Sequence, residues 1–365
     1  MSLQTTSTVL NTRVTVAIDA MGGDHTPKTT VFAALESLKK NEALSIVLVG
    51  DQDELEVLLY LKDNSSSNSS DPSAFNSPFS SFIESGRLLI HHASDVVLMD
   101  EKPTRALRSK QNSSMAVAIK LVKEGLADAC VSAGNTGALM LFGRSILRMC
   151  PGIDRPAITK RLPSPEGECY VLDLGANVDS TAEHLYQFAL MGSILVEAMK
   201  GIERPRVALI NVGGEEIKGN EQVRLASQML SECDGINYIG YIEGDDLFAG
   251  VADVAVCDGF VGNVALKAGE GVAALLHKSL KNVFEQNWYT RLLGWLVMPV
   301  FKRVLDQMDP SKYNGALFVG LQGVVVKSHG NADISSFSCA IDQAVEEVEH
   351  NVPALINSRL DELLF

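Results

Sequence analysis

A repeated unit constrains the fold of this chain more than any other feature: a buried strand ends in a glycine-containing turn, and a helix follows. The clearest copy is VAVCDGFVGNVALK at Val254–Lys267. Its apolar start is broken by two glycines and followed by an apolar-periodic segment, which predicts a strand, a tight turn and the first turn of a helix. Such helix starts carry unpaired N–H groups with partial positive charge, and in open α/β sheets they hold anionic ligands. Helical spacing places Asn263 and Lys267 on one face of this helix.

The same pattern recurs at four other predicted strand ends, each of which combines glycine with Asn, Asp, Thr or Lys. These copies are Val14–Asp24, Ala129–Leu139, Tyr170–Asp179 and Val207–Asn220. A single glycine after a strand usually makes only a turn, so a purely structural role stays open at each position. Together the five copies predict one cleft that is lined by the ends of several strands.

The alternation of predicted strands and helices indicates a mostly parallel, doubly wound sheet. A hydrophobic content of 46% fits the large core of such a sheet, which helices cover on both faces. The predicted organisation is a flexible N-terminus at 1–13, one large α/β unit at 14–354 whose two subdomains meet near 151–156, and a C-terminal tail at 355–365. A Ser- and Asn-rich stretch at 63–81 is predicted to be a surface loop insertion.

Composition and missing motifs exclude several classes of function. The net charge of −14, with no basic stripe to offset it, argues against nucleic-acid binding. The six cysteines lack metal-ligand spacing and are typical of buried free thiols in a reducing compartment. No signal peptide is visible, and no apolar run is long enough to span a bilayer. GxGxxG, GxSxG, HExxH and Walker A motifs are absent, and without GxGxxG a nicotinamide cofactor has no support in the sequence.

The candidate chemistry lies in polar groups at the predicted strand ends. Asn135 and Thr136 offer an amide and a hydroxyl at a helix start, which suits a phosphate or an oxyanion; the alternative is helix capping. Lys218 could neutralise phosphate or polarise a carbonyl, or it could be a solvated lysine paired with Glu216. His329 could accept a proton near neutral pH, or it could be a structural histidine bonded to a backbone carbonyl.

Two further groups of charged residues allow opposite interpretations. Arg105, Arg108 and Lys110 precede a predicted helix start, where they form either an anion site or a solvated basic loop. Several aspartates at strand ends suggest a divalent metal, but each also stands where aspartate commonly caps a helix or a turn, and we predict no metal. These aspartates are Asp19, Asp24, Asp173, Asp179 and Asp258.

The segment Asn287–Val304, NWYTRLLGWLVMPVFKRV, combines apolar, aromatic and basic residues and contains both tryptophans of the chain. This composition suits a helix that lies in a membrane interface. The alternative is a buried hairpin or a dimer contact, and a proline inside the run favours a bend. The residues predicted to contact membrane or partner are Trp288, Trp295, Leu296, Val300, Arg291, Lys302 and Arg303.

Taken together, these segments resemble the PlsX family, the acyl-acyl-carrier-protein:phosphate acyltransferases of bacterial phospholipid synthesis. The segments that carry the resemblance are AIDAMGGDHTP (Ala17–Pro27), RSKQNSSM (Arg108–Met115), ACVSAGNTGALM (Ala129–Met140), GIDRPAI (Gly152–Ile158), LDLGANVD (Leu172–Asp179), NVGGEEIKGN (Asn211–Asn220), CDGFVGNVALK (Cys257–Lys267) and YNGALFVGLQGVVVKSHG (Tyr313–Gly330). They cover the chain from Val14 to about Ala354, in the order of the family.

The resemblance implies a three-layer α/β/α fold, similar to the isocitrate and isopropylmalate dehydrogenases and the phosphotransacetylases, with a projecting helical hairpin. It implies a homodimer without cofactors that transfers a fatty acyl group from acyl carrier protein to inorganic phosphate. The acyl phosphate would serve a membrane glycerol-3-phosphate acyltransferase. The family behaves as cytoplasmic, peripheral membrane enzymes at the inner face of the cell membrane, which favours a membrane role for Asn287–Val304.

With this chemistry in view, each candidate residue receives an expected role. Lys218 and Lys267 would supply charge, Asn263 would hold phosphate or the oxyanion, and His329 would manage a proton. The residues expected to bind substrate are Gly134, Asn135, Thr136, Gly137, Asp24, Asn177, Arg105 and Gly262. A basic patch that includes Arg291, Lys302 and Arg303 would attract the acidic carrier protein. The alternatives are a phosphotransacetylase that uses acyl-coenzyme A and a non-catalytic membrane scaffold of lipid synthesis.

Overall fold

The computed structural model describes residues 13–66, 80–165, 167–215, 217–293, 295, 297 and 313–364, and the strands in this part of the chain form one continuous sheet. The strands are β1 (Val14–Asp19), β2 (Leu44–Gly50), β3 (Leu88–His92), β4 (Ala129–Ser132), β5 (Ala157–Ser164), β6 (Gly167–Leu172), β7 (Arg206–Ile210), β8 (Asn237–Ile242), β9 (Val254–Val256), β10 (Ala316–Val319) and β11 (Val324–Lys327). The helices are α1 (Lys28–Lys40), α2 (Gln52–Ser66), α3 (Ser80–Glu84), α4 (Pro103–Ser109), α5 (Ser114–Lys123), α6 (Thr136–Ile146), α7 (Ala182–Lys200), α8 (Glu221–Ser231), α9 (Gly259–Glu285), α10 (Ile334–Glu349) and α11 (Val352–Leu364).

The sheet consists of two parallel blocks that run in opposite directions. Its strand order is β3-β2-β1-β4-β11-β10-β5-β6-β9-β7-β8. Strands β3, β2, β1, β4 and β11 are parallel to one another, as are β6, β9, β7 and β8. The reversal occurs in the middle, because β10 is antiparallel to both of its neighbours and β5 is antiparallel to β6. The mostly parallel sheet predicted from the alternation of elements is therefore confirmed.

Helices cover both faces of the sheet, which gives the expected three layers. One core cluster packs α1, α2, α7, α8, α10 and α11 against one face, and a second packs α4, α5 and α6 against the other. The central strands are buried on both faces; all seven residues of β2, for example, are buried. This burial explains why they appear in the sequence as continuous apolar runs rather than as alternating ones.

Helix α9 extends well beyond the core of the protein. Its 27 residues correspond to about 40 Å at 1.5 Å per residue. Only Gly259 and Gly262, in its first turn, are buried, so most of the helix projects beyond the core. Residues 288–293 are helical again. The second arm of the predicted hairpin lies mostly outside the described residues.

Three features refine the predicted organisation. The stretch near 151–156 leads into β5, in the middle of the continuous sheet. Helix α2 extends to Ser66 and α3 begins at Ser80, so both enter the predicted loop at 63–81, whose central part lies outside the described residues. The predicted tail at 355–365 largely belongs to α11, which buries Ile356 and Leu360 in the core.

Candidate active site

The ends of β1, β4 and β11 place three polar residues side by side. In the register of these parallel strands, Ser132 is paired with both Asp19 and Lys327, and each of the three is the last residue of its strand. All three strands end at the same edge of the sheet. Ligands in open α/β folds bind at such an edge, so the loops that follow these strands are the first candidates for a binding cleft.

Asp19 holds the glycine turns after β1 and β4 in place. The hydroxyl Oγ of Ser132 donates to Oδ2 of Asp19 at 2.6 Å, and the N–H of Gly22 donates to Oδ1 at 3.1 Å. The N–H of Gly134 in turn donates to Oγ of Ser132 at 3.0 Å. Burial raises the pKa of Asp19 despite these hydrogen bonds. A Cβ at Gly22 would lie 2.3 Å from Oδ2 of Asp19, so this turn requires glycine.

Helix α9 brings Lys267 to the loop that follows β11. Its Nζ lies 3.4 Å from Nε2 of His329, although 62 residues separate the two in sequence. The same Nζ lies 2.8 Å from Oε2 of Glu270, whose Oε1 lies 3.3 Å from Nζ of Lys160 on β5. Burial alone would raise the pKa of Glu270, but the ammonium groups of Lys267 and Lys160 lower it. The carboxylate of Glu270 therefore forms ion pairs with two lysines. One of them, Lys267, also faces His329.

The hydrogen bonds of His329 indicate which ring nitrogen carries the proton. The backbone N–H of Asn331 points to Nδ1 at 3.4 Å, which makes Nδ1 the acceptor and leaves the proton on Nε2 of the neutral ring. Burial and the nearby Lys267 lower the pKa of His329, which favours the neutral ring. Nζ of Lys267 and Nε2 of His329 are then two donors that face each other, an arrangement suited to an anion between them.

The loop after β6 fixes the start of α9. Oδ2 of Asp173 accepts hydrogen bonds from the N–H of Asn177 at 2.6 Å and from its side-chain amide at 3.0 Å, and that amide also donates to the carbonyl of Pro156 at 2.8 Å. The N–H of Gly259 donates to the carbonyl of Asn177 at 2.8 Å. The predicted residue Asn177 is thus a buried connection between the β6 loop and α9, and through α9 it orients Lys267.

Asn135 has the capping role that the sequence left as an alternative. Its Oδ1 accepts from the N–H of Ala138 at 3.0 Å, and its amide donates to the carbonyls of Met99 at 2.8 Å and Glu101 at 3.0 Å. The side chain therefore stabilises α6 and its neighbouring loop. Backbone N–H groups in the first turn of α6, which contains Thr136 and Gly137, are the donors that a helix start leaves for an anion.

The other predicted residues lie on several elements of the fold, and the contacts among the described residues do not join all of them to this centre. Asp24 joins the β1 and β11 loops, because its N–H donates to the carbonyl of Gly330 at 2.8 Å. Asn263 is the nearest side chain to the position that a Cβ on Gly175 would occupy. Arg105 lies on α4. Lys218, in the loop between β7 and α8, is exposed and forms an ion pair with Glu215 at 2.8 Å; Glu216, its expected partner, lies outside the described residues.

Sequence reasoning missed Lys160, Glu270 and Lys327. Glu270 offered the clearest signal, because a glutamate three residues after Lys267 on a predicted helix is within ion-pairing distance. Lys160 and Lys327 carry no such signal, since each becomes important only when distant strands are paired. Within the described residues, no group of three or more potential ligands is arranged to hold a metal ion.

A cavity of about 650 Å³ lies elsewhere, at the starts of α7 and α8. It is lined by acids and bases together, among them Arg155, Asp179, His184 and Glu221. It shares no residue with the Lys267–His329 pair. The mixed charge of its lining gives no preference for an anion, so we place the candidate active site at the pair.

Known proteins that are similar to this chain agree with its fold and show its family. Residues 14–355 match the family model described as "Fatty acid synthesis protein". A phosphate acyltransferase of Marinobacter nauticus is 58% identical over 98% of each chain, and one of Coxiella burnetii is 52% identical over 96% of this chain and 97% of the relative. Among solved structures, a phosphotransacetylase of Streptococcus pyogenes has a TM-score of 0.56 at 15% identity, covering 92% of this chain and 94% of that one.

A branched-chain phosphotransacylase of Enterococcus faecalis has a TM-score of 0.52 at 15% identity, covering 92% of this chain and 99% of that one. At this identity the likeness to the two solved structures shows the fold alone.

The chain belongs to the fatty acid synthesis protein family, a class of α/β enzymes. Its close relatives are named phosphate acyltransferases, and the chain is accordingly an acyltransferase.

Proposed function

We propose that this enzyme transfers a fatty acyl group from acyl carrier protein to inorganic phosphate and releases acyl phosphate and the free carrier thiol. The observation that carries the proposal is the convergence of two donors, Nζ of Lys267 and Nε2 of His329, 3.4 Å apart at the edge of the sheet. An anion between them would accept a hydrogen bond from each. Phosphate is the anion that the names of the close relatives imply.

The chemistry requires no nucleophile from the enzyme. An oxygen of monohydrogen phosphate attacks the thioester carbonyl carbon, the C–S bond breaks, and the phosphate proton balances the leaving thiolate. The enzyme must then desolvate phosphate, orient it and stabilise the tetrahedral oxyanion. Lys267 and His329 would hold phosphate, and the N–H groups at the start of α6 would lie near the oxyanion. His329 donates a hydrogen bond to phosphate in this arrangement, and the proton that neutralises the thiolate comes from the phosphate.

The carrier protein is the expected acyl donor, and acyl-coenzyme A is the alternative. The fatty acid synthesis family favours the carrier, whereas the solved structures with this fold include phosphotransacetylases. We expect kcat/KM to be higher with the acyl carrier protein thioester than with the coenzyme A thioester of the same fatty acid. A higher value with coenzyme A would reverse the assignment of the donor.

The reaction is tested by following release of the carrier thiol with phosphate first omitted and then added. Release should begin only when phosphate is present. Release without phosphate would indicate a thioesterase, and no release in either condition would favour a scaffold of lipid synthesis. The product would be suited to a membrane glycerol-3-phosphate acyltransferase.

We further propose that the enzyme is a cytoplasmic homodimer that associates peripherally with the inner face of the cell membrane. Trp288 and Trp295 are 65% and 74% exposed, next to the exposed Leu292 and Leu293. These exposed residues support a surface contact as the form of membrane binding. Within the described residues, no helix is long and apolar enough to cross a bilayer. The exposed apolar residues of α9 supply surface for a second subunit, and Arg291 belongs to the patch proposed for the carrier protein.

Replacing Leu292 and Leu293 together with glutamate is expected to abolish sedimentation of the enzyme with anionic phospholipid vesicles. The change removes exposed apolar surface and adds negative charge where an acidic membrane would lie. The matched control is Val57→Glu with Leu126→Glu, which also replaces two exposed apolar residues, far in sequence from the segment. Sedimentation that is unchanged in the first variant would contradict the membrane contact. Leu296, Val300, Lys302 and Arg303, also predicted to take part, lie outside the described residues.

A further inference from the structure

Lys327 occupies an unusual position at the edge of the candidate active site. It is the last residue of β11, and its Nζ donates to the carbonyl of Ala133 at 3.0 Å and to the carbonyl of Ser328. Ala133 begins the loop after β4, and Ser328 begins the loop after β11. The lysine therefore joins the turn that leads to α6 with the loop that carries His329.

The charges around Lys327 come from three elements. Asp19 at the end of β1 and Asp24 in the following loop attract its ammonium group, and Lys267 on α9 repels it. Burial is the largest effect and lowers the pKa of Lys327 to about 8. Without this ammonium group, the two aspartates would leave negative charge close to the place where an anionic substrate is expected.

We propose that Lys327 is a positioning residue for phosphate: it joins the loops after β4 and β11 and offsets the negative charge of Asp19 and Asp24 beneath the anion site. The inference rests on the proposed function, since it assumes that phosphate binds between Lys267 and His329. Lys327 itself contacts backbone carbonyls rather than the substrate. The charge of Lys327 acts on a phosphate dianion but has little effect on a neutral thioester carbonyl.

The first test is Lys327→Met, a change that removes the charge and keeps much of the side-chain length. We expect KM for phosphate to rise about tenfold or more, because each nearby unit charge contributes strongly in a partly buried site. KM for the acyl thioester should change by less than about twofold. If the lysine served only the fold, both constants would rise together, and that result would overturn the proposal.

A second variant separates charge from local packing. Adding Asp24→Asn to Lys327→Met removes one of the negative charges that the lysine offsets, and it should recover part of the lost phosphate affinity. A defect in packing would not be rescued by this change. Failure of the double variant to recover any affinity for phosphate would contradict the electrostatic role.

A third test compares the wild-type enzyme with Lys327→Arg. It does not depend on the folding of a variant that has lost the charge of Lys327. Because Lys327 is charged below its pKa of about 8 and neutral above it, KM for phosphate should increase as the pH rises from 8 to 9. Lys327→Arg stays charged over this range and should not show the increase. Identical pH profiles for the two proteins would overturn the proposal.

Direct binding of inorganic phosphate, measured by calorimetry without thioester, tests the role of Lys327 separately from the proposed acyl transfer. Phosphate binding that weakens in Lys327→Met supports the positioning role even if the acyl donor has been misassigned. Binding that is equal in both proteins contradicts that role even where acyl phosphate is formed.

Discussion

Replacing Lys267 with methionine is expected to lower kcat/KM for acyl transfer to phosphate by about a hundredfold or more, with the fold intact. Removing one preorganised donor from a site that stabilises negative charge commonly costs about a hundred- to a thousandfold in rate. The fold should survive because Glu270 keeps its second partner, Lys160, at 3.3 Å. The carboxylate of Glu270 is therefore not left without a cation.

The matched control is Lys123→Met, which removes an exposed lysine from the last turn of α5. Steady-state kinetics with both substrates varied, together with circular dichroism of each variant, provide the measurement. We expect the control to differ from the wild type by less than about twofold. A Lys267→Met enzyme with wild-type kinetics would remove this residue from the anion site.

Replacing Gly262 with alanine is expected to destabilise the protein and to abolish most of its activity. A Cβ at this position would lie 2.0 Å from the backbone oxygen of Asp173 and 3.0 Å from Sγ of Cys257. Neither neighbour can move freely, because the backbone of Asp173 and the buried Cys257 both belong to the core of the sheet. The start of α9 would have to shift, and Lys267, just over one turn further along, would shift with it. Overpacking of this kind commonly costs about 1–3 kcal/mol.

Gly271→Ala is the matched control, since it makes the same change in the same helix where a Cβ would meet nothing within 4 Å. It should raise the free energy of unfolding by up to about 1 kcal/mol, because alanine favours the helix. Denaturant unfolding and activity assays of both variants provide the comparison. Equal stability of the two variants would show that the first turn of α9 is not held as tightly as the structure indicates.

The sequence predicted most of the strands, their following turns and the parallel character of the sheet, because buried strands and glycine turns leave local signals. It did not predict β5 or β10. It could not predict that β10 and β5 reverse the direction of the sheet in its middle. That reversal depends on pairing between β10 at residues 316–319 and β5 at residues 157–164, and no local pattern records which distant strands pair. The resemblance to a known family supplied the three-layer arrangement instead.

The candidate site was predictable only in part, for the same reason. Lys267 and His329 were recognised one by one, Lys267 as a residue on the same helix face as Asn263 and His329 as a polar residue that follows a strand. Their contact across 62 residues depends on how α9 and β11 are placed in the fold. For Asn135 the sequence left two roles open, because a position at a helix start suits both capping and anion binding. Only the three-dimensional partners of its side chain assign it to capping.

The central claim is tested most directly by identifying the product formed from heavy-oxygen-labelled inorganic phosphate and a long-chain acyl carrier protein thioester. Mass spectrometry of the wild-type reaction should find acyl phosphate that retains all of the label, in an amount equal to the carrier thiol released. The Lys267→Met enzyme should form little of it. Unlabelled free fatty acid as the first product, in an amount independent of phosphate, would contradict the account.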